Sequence, residues 1–233
     1  MMISGFQPLT LLDYPGLISS IVFTQGCPFR CTYCHNPDLV PTQASRPEQT
    51  VSTETVLNHL RTHKRMIEGV CITGGEPTMQ PDLPDFIRQV RRLGMRVKLD
   101  TNGVHPRMIE QLIREQLVDY FAMDLKHTWE HYANVIGIHQ EQVLRNCQET
   151  FKLIQASGVL HEFRTTVYSG FHSSDDLLRI ASQLNDGEHY ALQAIRYGTT
   201  LDPQLAQTPS FNLEATAEAV RQAFPTLHVE VRA

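Results

Sequence analysis

Residues 18–34 read ISSIVFTQGCPFRCTYC, from Ile18 to Cys34. The first seven are rich in apolar and β-branched residues, which predicts a strand over 18–24 that ends directly at a cysteine-rich loop. The cysteines have the spacing C-x3-C-x2-C, so three thiolates can bind one metal centre. Without a metal, three neighbouring thiols would add little to stability and would be prone to oxidation. We therefore interpret the stretch as a buried strand followed by a metal-binding loop.

Two kinds of metal centre fit this cysteine motif. Structural zinc takes four protein ligands, often as two pairs on separate loops. The other cysteines, Cys71 and Cys147, do not form a second pair, and His35 follows Cys34 too closely to chelate the same ion easily. An iron–sulfur cubane held by three cysteines instead leaves one iron open for a substrate. The spacing favours the cluster, with zinc as the alternative, and Cys71 and Cys147 are predicted to be buried packing residues.

Length and composition limit the class of protein. The 233 residues are 41% hydrophobic and 19% charged, which suits one large domain or two small ones and excludes a disordered or collagen-like chain. The net charge of −5 argues against a protein that coats nucleic acid or an anionic membrane. Residues 1–7 lack the features of a secretory signal, and no apolar stretch is long enough to span a membrane. We expect a cytoplasmic protein with neither nucleic-acid nor membrane partners.

Strand-like and helix-like patterns alternate along the chain. Strands are predicted over 18–24, 70–73, 95–99, 118–123, 161–167, 190–195 and 227–231, and helices over 53–67, 81–93, 106–116, 141–156, 174–184 and 213–224. This alternation is typical of βαβ units with a parallel sheet. The units are too few for a closed eight-stranded barrel. We predict an α/β fold, a partial (β/α)6 barrel, as a single domain over 1–233, with 1–16 as an N-terminal extension and about 199–233 as a C-terminal tail.

Unusual polar residues follow several of these strands. Gly74-Gly75-Glu76-Pro77, Asp100-Thr101-Asn102-Gly103 and Asp124-Leu125-Lys126 come directly after the second, third and fourth strands, and Arg164 lies inside the fifth. Each motif alone is explained by a turn or a helix cap. Ligands of parallel α/β folds bind at the carboxyl ends of the strands. The coincidence of these motifs with the cysteine loop therefore predicts one site at that end.

With these motifs the sequence resembles the radical SAM superfamily. The resemblance is carried by the cysteine motif and by Gly74-Gly75-Glu76-Pro77. Residues 24–37, which end in Cys34-His35-Asn36-Pro37, resemble the activating enzymes of glycyl-radical proteins. Residues 100–103 and 123–126 are similar to segments of pyruvate formate-lyase activators, which the chain also resembles in layout. Residues 11–16, LLDYPG, are most like the anaerobic ribonucleoside-triphosphate reductase activating proteins.

The resemblance implies the roles of individual residues. Cys27, Cys31 and Cys34 would hold a [4Fe–4S] cluster, and S-adenosylmethionine would chelate its fourth iron. The implied cofactor-binding residues are Tyr33, Gly74, Gly75, Glu76, Asp100, Thr101, Asn102, Asp124, Lys126 and Arg164.

Within this set, the resemblance assigns three different tasks. Residues 74–76 would receive the methionine ammonium group, with glycines that let the ligand approach the backbone closely. Lys126 and Arg164 would complement the methionine carboxylate. Asp100, Thr101 and Asp124 lie where formate-lyase activators bind a monovalent cation or the cofactor.

The implied activity is that of a radical SAM oxidoreductase. It would cleave S-adenosylmethionine reductively to a 5′-deoxyadenosyl radical, which abstracts hydrogen from a glycine of a partner glycyl-radical enzyme. The expected partner is anaerobic ribonucleoside-triphosphate reductase, and the expected electron donor is a flavodoxin or ferredoxin. The alternatives are a pyruvate formate-lyase activator, a small-molecule enzyme similar to the 7-carboxy-7-deazaguanine synthases, and a non-enzymatic zinc or iron–sulfur module. Residues 34–37 favour the activase over the small-molecule enzyme, and the motifs at 74–76 and 100–103 argue against the module.

Overall fold

In the computed structural model, which describes residues 1–44, 48, 50–205 and 211–232, eight strands form one sheet. The strands are Ile3–Thr10 (β1), Ser19–Thr24 (β2), Gly69–Gly74 (β3), Arg96–Thr101 (β4), Tyr120–Asp124 (β5), Leu160–Val167 (β6), His189–Ala194 (β7) and His228–Arg232 (β8). They lie in sequence order; β2 to β8 are parallel, and β1 runs antiparallel to β2. Among the described residues β1 and β8 do not pair, so the sheet is not closed. The predicted partial barrel is confirmed.

Helices connect the parallel strands and cover the outside of the sheet. They are Thr53–Thr62 (α1), Leu83–Arg92 (α2), Pro106–Arg114 (α3), Tyr132–Ile136 (α4), Glu141–Ala156 (α5), Ser174–Ala181 (α6) and Leu213–Ala223 (α7). The helix predicted over 53–67 ends earlier, because the backbone leaves helical geometry at His63 and turns to bury Ile67. The short helix α4 was not predicted. In the described part of the chain, no helix is both long and apolar enough to cross a lipid bilayer.

The predicted N-terminal extension and C-terminal tail both contribute strands to the sheet. Strand β1 lies in the predicted extension, where Gly5 and Pro8 interrupt any alternating pattern that could have revealed a strand. It pairs with β2, with Ile3 opposite Thr24. The predicted tail supplies α7 and β8, and β8 pairs with β7. Residues 206–210 and 233 of that tail lie outside the described residues.

Side chains alternate between the two faces of the sheet. Val70, Ile72 and Leu99 are fully buried in the apolar core that also includes the helices. Cys71 and Lys98, which alternate with them, point to the opposite face, where Lys98 meets Asp100. The apolar core therefore lies between sheet and helices, whereas the inside of the barrel is polar and suited to a charged ligand.

Tyr14 covers the barrel at the end where the parallel strands begin. It is 5% exposed, and its ring lies 6.1 Å from that of Tyr120 at the start of β5. A Cβ on Gly69, at the start of β3, would lie only 2.9 Å from the Tyr14 ring. The motif at 11–16 thus contributes a side chain that shields the barrel interior from solvent at the end opposite the predicted site.

Candidate functional site

A cavity opens at the carboxyl ends of the parallel strands. It is lined by every site residue predicted from the motifs, namely Cys27, Cys31, Tyr33, Cys34, Gly74, Gly75, Glu76, Asp100, Thr101, Asn102, Asp124, Lys126 and Arg164. The structure therefore brings together segments that are separated by up to 137 residues of sequence, from Cys27 to Arg164. Their proximity follows from the parallel sheet, because all except Arg164 follow or end strands that share one edge, and Arg164 points into the barrel from within β6.

The cavity also includes residues outside the predicted set of cluster and cofactor ligands. These are Phe29, His35, Asn36, Val40, Thr73, Thr166 and Gln193. Thr166 follows Arg164 by two residues on β6 and pairs in register with Gln193 on β7. The period of two along a strand could have identified Thr166 from Arg164. Gln193 could not have been found without the register.

Backbone hydrogen bonds hold the cysteine loop in place. The backbone N–H of Cys27 donates to the carbonyl of Val40 at 3.0 Å, and that of Cys34 donates to the carbonyl of Cys31 at 3.0 Å. The Arg30 guanidinium donates to the carbonyls of Cys27 and Phe29, each at 2.8 Å. The loop carbonyls are thus satisfied within the protein, and the thiols remain available to a ligand.

The cysteine side chains are free thiols in a largely buried setting. Burial raises the pKa of Cys27 to about 12 and that of Cys31 to about 11. At neutral pH both are protonated in the absence of a metal, whereas a bound metal ion stabilises the thiolate and displaces the proton. All three thiols line the cavity, and cysteine thiolates are the donors that iron–sulfur clusters use, so the chemistry of this donor set fits such a cluster. Among the described residues, no three His, Cys, Asp or Glu side chains are already grouped as metal ligands.

Glu76 is fully buried and joins two of the loops. Its Oε1 accepts hydrogen bonds from the backbone N–H and hydroxyl of Thr78 and from the hydroxyl of Thr101, at 3.1, 2.5 and 2.8 Å. Its Oε2 accepts from the backbone N–H of Asn102 at 2.6 Å. Burial raises the pKa of Glu76, and the hydrogen bonds oppose that shift. Glu76 thus fixes residues 100–103 against residues 74–77, and its predicted contact with the methionine ammonium stays a prediction.

The structure shows a packing reason for the two glycines before Glu76. A Cβ on Gly74 would lie 2.3 Å from the backbone nitrogen of Thr24, and one on Gly75 would lie 2.2 Å from the carbonyl oxygen of Gly26. Real Cβ atoms do not approach other atoms so closely. The absence of side chains is therefore required by the backbone that leads into the cysteine loop, and the predicted close approach of a ligand to these glycines stays a prediction.

Charged side chains form a network on the inner face of the barrel. Asp100 accepts from Lys98 at 2.5 Å and from Arg164 at 3.1 Å, and Asp124 accepts from Arg164 and Lys126, each at 2.9 Å. Within this group three cationic side chains face two carboxylates. Arg164 also lies 4.0 Å from the buried carboxylate of Glu162, which pairs in turn with Arg232, so the acidic and basic side chains are close to balanced. Lys126 and Arg164 are the two cationic side chains that line the cavity, and each can donate hydrogen bonds to a carboxylate.

Arg164 determines the protonation of the two carboxyl groups. Burial alone would raise the pKa of Asp124, but Arg164 and Lys126 outweigh burial and hold that pKa well below its ordinary range. Burial would likewise raise the pKa of Asp100, but the positive charges of Arg164 and Lys98 outweigh burial and lower that pKa. Both groups are ionised at neutral pH and depend on their cationic partners.

We predict that Arg164→Met destabilises the protein by about 3–5 kcal/mol at neutral pH, because two buried carboxylates lose a shared cation. A carboxyl group with a lowered folded-state pKa stabilises the protein above its ordinary pKa of about 4, and that contribution is lost as the pH falls. The difference in the free energy of unfolding between wild type and variant should therefore shrink as the pH is lowered below about 4. Urea unfolding at a series of pH values measures this difference in the free energy of unfolding.

Arg179→Met is the matched control for this prediction. Arg179 pairs with Glu130, and the side chains are 55% and 65% exposed. An exposed pair contributes about 0–1 kcal/mol, so this variant should unfold close to wild type at every pH. Equal destabilisation by the two substitutions would show that the Arg164 network does not stabilise the fold.

Comparison with known proteins identifies the family of this site. A family model described as the radical SAM superfamily matches residues 21–181. A Methanocaldococcus jannaschii protein, provisionally named as a glycyl-radical enzyme activating enzyme, is 29% identical over 211 residues, which cover 89% of this chain and 85% of the relative. The pyruvate formate-lyase 1-activating enzyme of Escherichia coli is 30% identical over 183 residues, covering 75% of this chain and 70% of the relative.

Solved structures with little sequence similarity share the fold. Streptococcus suis SuiB bound to the precursor peptide SuiA superposes with a TM-score of 0.71 at 14% identity; the match covers 91% of this chain and 48% of SuiB, so the chain spans about half of that protein. The structure of anSMEcpe with bound AdoMet has a TM-score of 0.62 at 16% identity, with 90% of this chain and 61% of that chain covered. These likenesses support the architecture alone.

Proposed function

Because the chain belongs to the radical SAM superfamily and is an activating enzyme of glycyl-radical enzymes, we propose that the cavity at the strand ends performs this reaction. The family uses a [4Fe–4S] cluster and S-adenosylmethionine, and the enzyme acts on a protein substrate. The observation that carries the proposal is that three free thiols line the same cavity as the cationic side chains of Lys126 and Arg164.

In this proposal the cysteine loop would hold the cluster, and residues at the strand ends would hold S-adenosylmethionine. When bound, these groups supply the one-electron chemistry that yields a 5′-deoxyadenosyl radical. Lys126 and Arg164 provide the positive charge for the methionine carboxylate, and both side chains are largely buried, which strengthens the attraction. Tyr33, 2% exposed beside the cysteines, offers an apolar face for the adenine. The remaining predicted residues hold the loop at 74–77 and the loop at 100–103 in fixed relative positions. They are Gly74, Gly75, Glu76, Thr101 and Asn102.

The barrel also protects this chemistry from water. Its far end is covered by Tyr14, and paired charges occupy its inner face. The backbone N–H groups of Leu201 and Asp202 donate to the carbonyls of Cys34 and Thr32, so a late segment of the chain packs beside the cysteine loop. Exclusion of water and fixed orientation are what a protein contributes when its cofactors carry the reaction.

A monovalent cation at Asp100 and Asp124 stays a prediction. The four carboxylate oxygens already accept from Lys98, Arg164 or Lys126. A further cation would have to share these oxygens with the side chains. The network therefore supplies internally the positive charge that such an ion would bring.

We propose anaerobic ribonucleoside-triphosphate reductase as the protein substrate, supported by the similarity of residues 11–16 to its activating proteins. Pyruvate formate-lyase is the second candidate, supported by the 30% identity to the Escherichia coli activating enzyme. A flavodoxin or ferredoxin is the proposed electron donor for either partner.

Isotope transfer tests the proposed function. We expect that reductase deuterated at glycine Cα places deuterium in 5′-deoxyadenosine when it is mixed with the reduced enzyme and S-adenosylmethionine. The physical reason is proximity, since a docked glycine loop holds its hydrogen near the reacting carbon, whereas a free small molecule does not. Mass spectrometry of the nucleoside measures the transfer.

Two parallel reactions complete the test. Deuterated pyruvate formate-lyase should transfer less deuterium than the reductase, and more transfer would assign the second candidate instead. A deuterated pterin should transfer none. Transfer from the pterin with none from either protein would replace the activase proposal with a small-molecule enzyme.

A further inference from the structure

We propose that Asn102 is a positioning residue that raises the reduction potential of the cluster, because its side-chain amide donates a hydrogen bond to the sulfur of Cys27. The sequence motif assigned Asn102 only to cofactor binding. The inference rests on the proposed function, in which Cys27 is a cluster ligand.

The geometry directs the amide N–H at the thiol. Asn102 Nδ2 lies 3.6 Å from Cys27 Sγ, and Asn102 is only 6% exposed, so water does not compete strongly for this donor. On the other side of the amide, Oδ1 accepts the backbone N–H of Val104 at 3.1 Å. Only the oxygen of an amide can accept, so this bond fixes which end of the side chain faces the sulfur.

The backbone of Asn102 is fixed independently of that contact. Its N–H donates to Glu76 Oε2 at 2.6 Å, and the hydroxyl of the preceding Thr101 donates to Glu76 Oε1 at 2.8 Å. The N–H of Gly103 donates to the Thr101 hydroxyl at 3.0 Å. The loop therefore has other bonds that determine its shape, and the side-chain N–H is left for the thiol.

The electrostatic consequence has a definite sign. Reduction adds an electron that is shared by iron and the sulfur ligands, so a donor aimed at a ligand sulfur stabilises the reduced state more than the oxidised one. Removal of that donor should make the cluster harder to reduce. Hydrogen bonds to sulfur are a recognised determinant of cluster potential, and here a side chain in the loop after β4 supplies such a bond.

The test is the midpoint potential of the reconstituted holoenzyme, measured by EPR-monitored titration with dithionite. Asn102→Ser retains an oxygen that can accept from Val104 but lacks an amide to reach Cys27. Its ratio of reduced to oxidised cluster at a fixed solution potential should fall about tenfold, which is a shift of about 59 mV to lower potential for one electron. Asn102→Asp places a carboxylate oxygen in the amide position and should shift the potential further in the same direction.

Asn146→Ser is the matched control. Asn146 Nδ2 donates to the carbonyl of Val104 at 3.0 Å, so this change loosens the same loop without touching the thiol. Its potential should equal that of wild type. The proposal is overturned if the Asn102 variants contain wild-type iron and keep the wild-type potential, or if Asn146→Ser shifts as much as they do.

A measurement on the unaltered protein covers the case in which the Asn102 variants lose their cluster. Wild-type enzyme is produced in cells supplied with asparagine that carries ¹⁵N in its side-chain amide. Pulsed EPR should show a coupling between ¹⁵N and the reduced cluster, and absence of that coupling would refute the contact between Asn102 and Cys27. The outcome is separable from the proposed function, because a failure of cysteine ligation would appear as retained iron in Cys27→Ala rather than as an unchanged potential.

Discussion

Cys31→Ala should lower the iron content of anaerobically purified protein from about four atoms per chain to near zero. Cys31 is 6% exposed and lines the same cavity as Cys27 and Cys34. Its removal leaves two thiols, too few to hold a cubane that already has one open iron. Iron and acid-labile sulfide assays, together with the visible absorption of the cluster, measure the loss.

Cys71→Ser is the control for this prediction and should retain the cluster. Cys71 is buried as predicted, but its sulfur faces a charged pair, 3.8 Å from Asp100 Oδ1 and 3.9 Å from Lys98 Nζ. A serine hydroxyl can replace both contacts. Loss of iron from Cys71→Ser together with retention by Cys31→Ala would show that the ligand assignment is wrong.

The sequence predicts which residues gather around one cavity, because the polar motifs at 74–77, 100–103 and 124–126 lie at the ends of strands. Parallel strands place their carboxyl ends at one edge, so Gly74, Asp100 and Asp124 had to meet once the sheet was recognised as parallel. The strand boundaries shift by only one or two residues between prediction and structure. Errors of that size do not move a motif to the other end of a strand.

Other features depend on pairings that no local pattern encodes. The bond between Glu76 and Asn102 joins residues 26 positions apart, and that between Asp100 and Arg164 joins residues 64 apart. Their partners follow from the register of the sheet, which the sequence does not reveal. Strand β1 was missed for a related reason, since an edge strand that contains Gly5 and Pro8 is recognised by its pairing with β2.

Gly75→Ala should abolish cluster assembly. The change adds only one methyl group, and the backbone of Gly75 is not in the left-handed conformation that itself favours glycine. That methyl carbon would lie 2.2 Å from the carbonyl oxygen of Gly26 and 2.7 Å from that of Leu39. Both are backbone atoms, and the N–H of Gly26 donates to that Leu39 carbonyl at 2.8 Å, so neither can move without displacing Cys27. The same carbonyl of Gly26 accepts from the N–H of Glu76 at 2.7 Å, a bond that the displacement would break.

Gly94→Ala separates this contact from the ordinary cost of replacing a glycine. Gly94 has a φ of 85°, and a Cβ there would meet nothing within 4 Å. This control should lose about 1–2 kcal/mol of stability through backbone strain and keep its iron.

Calorimetric titration with S-adenosylmethionine then decides the role of Gly75. If Gly75→Ala kept wild-type iron and lost only affinity for S-adenosylmethionine, the glycine would serve the ligand; if the iron is lost as well, it serves the approach of two loops that places Cys27 against the strand ends.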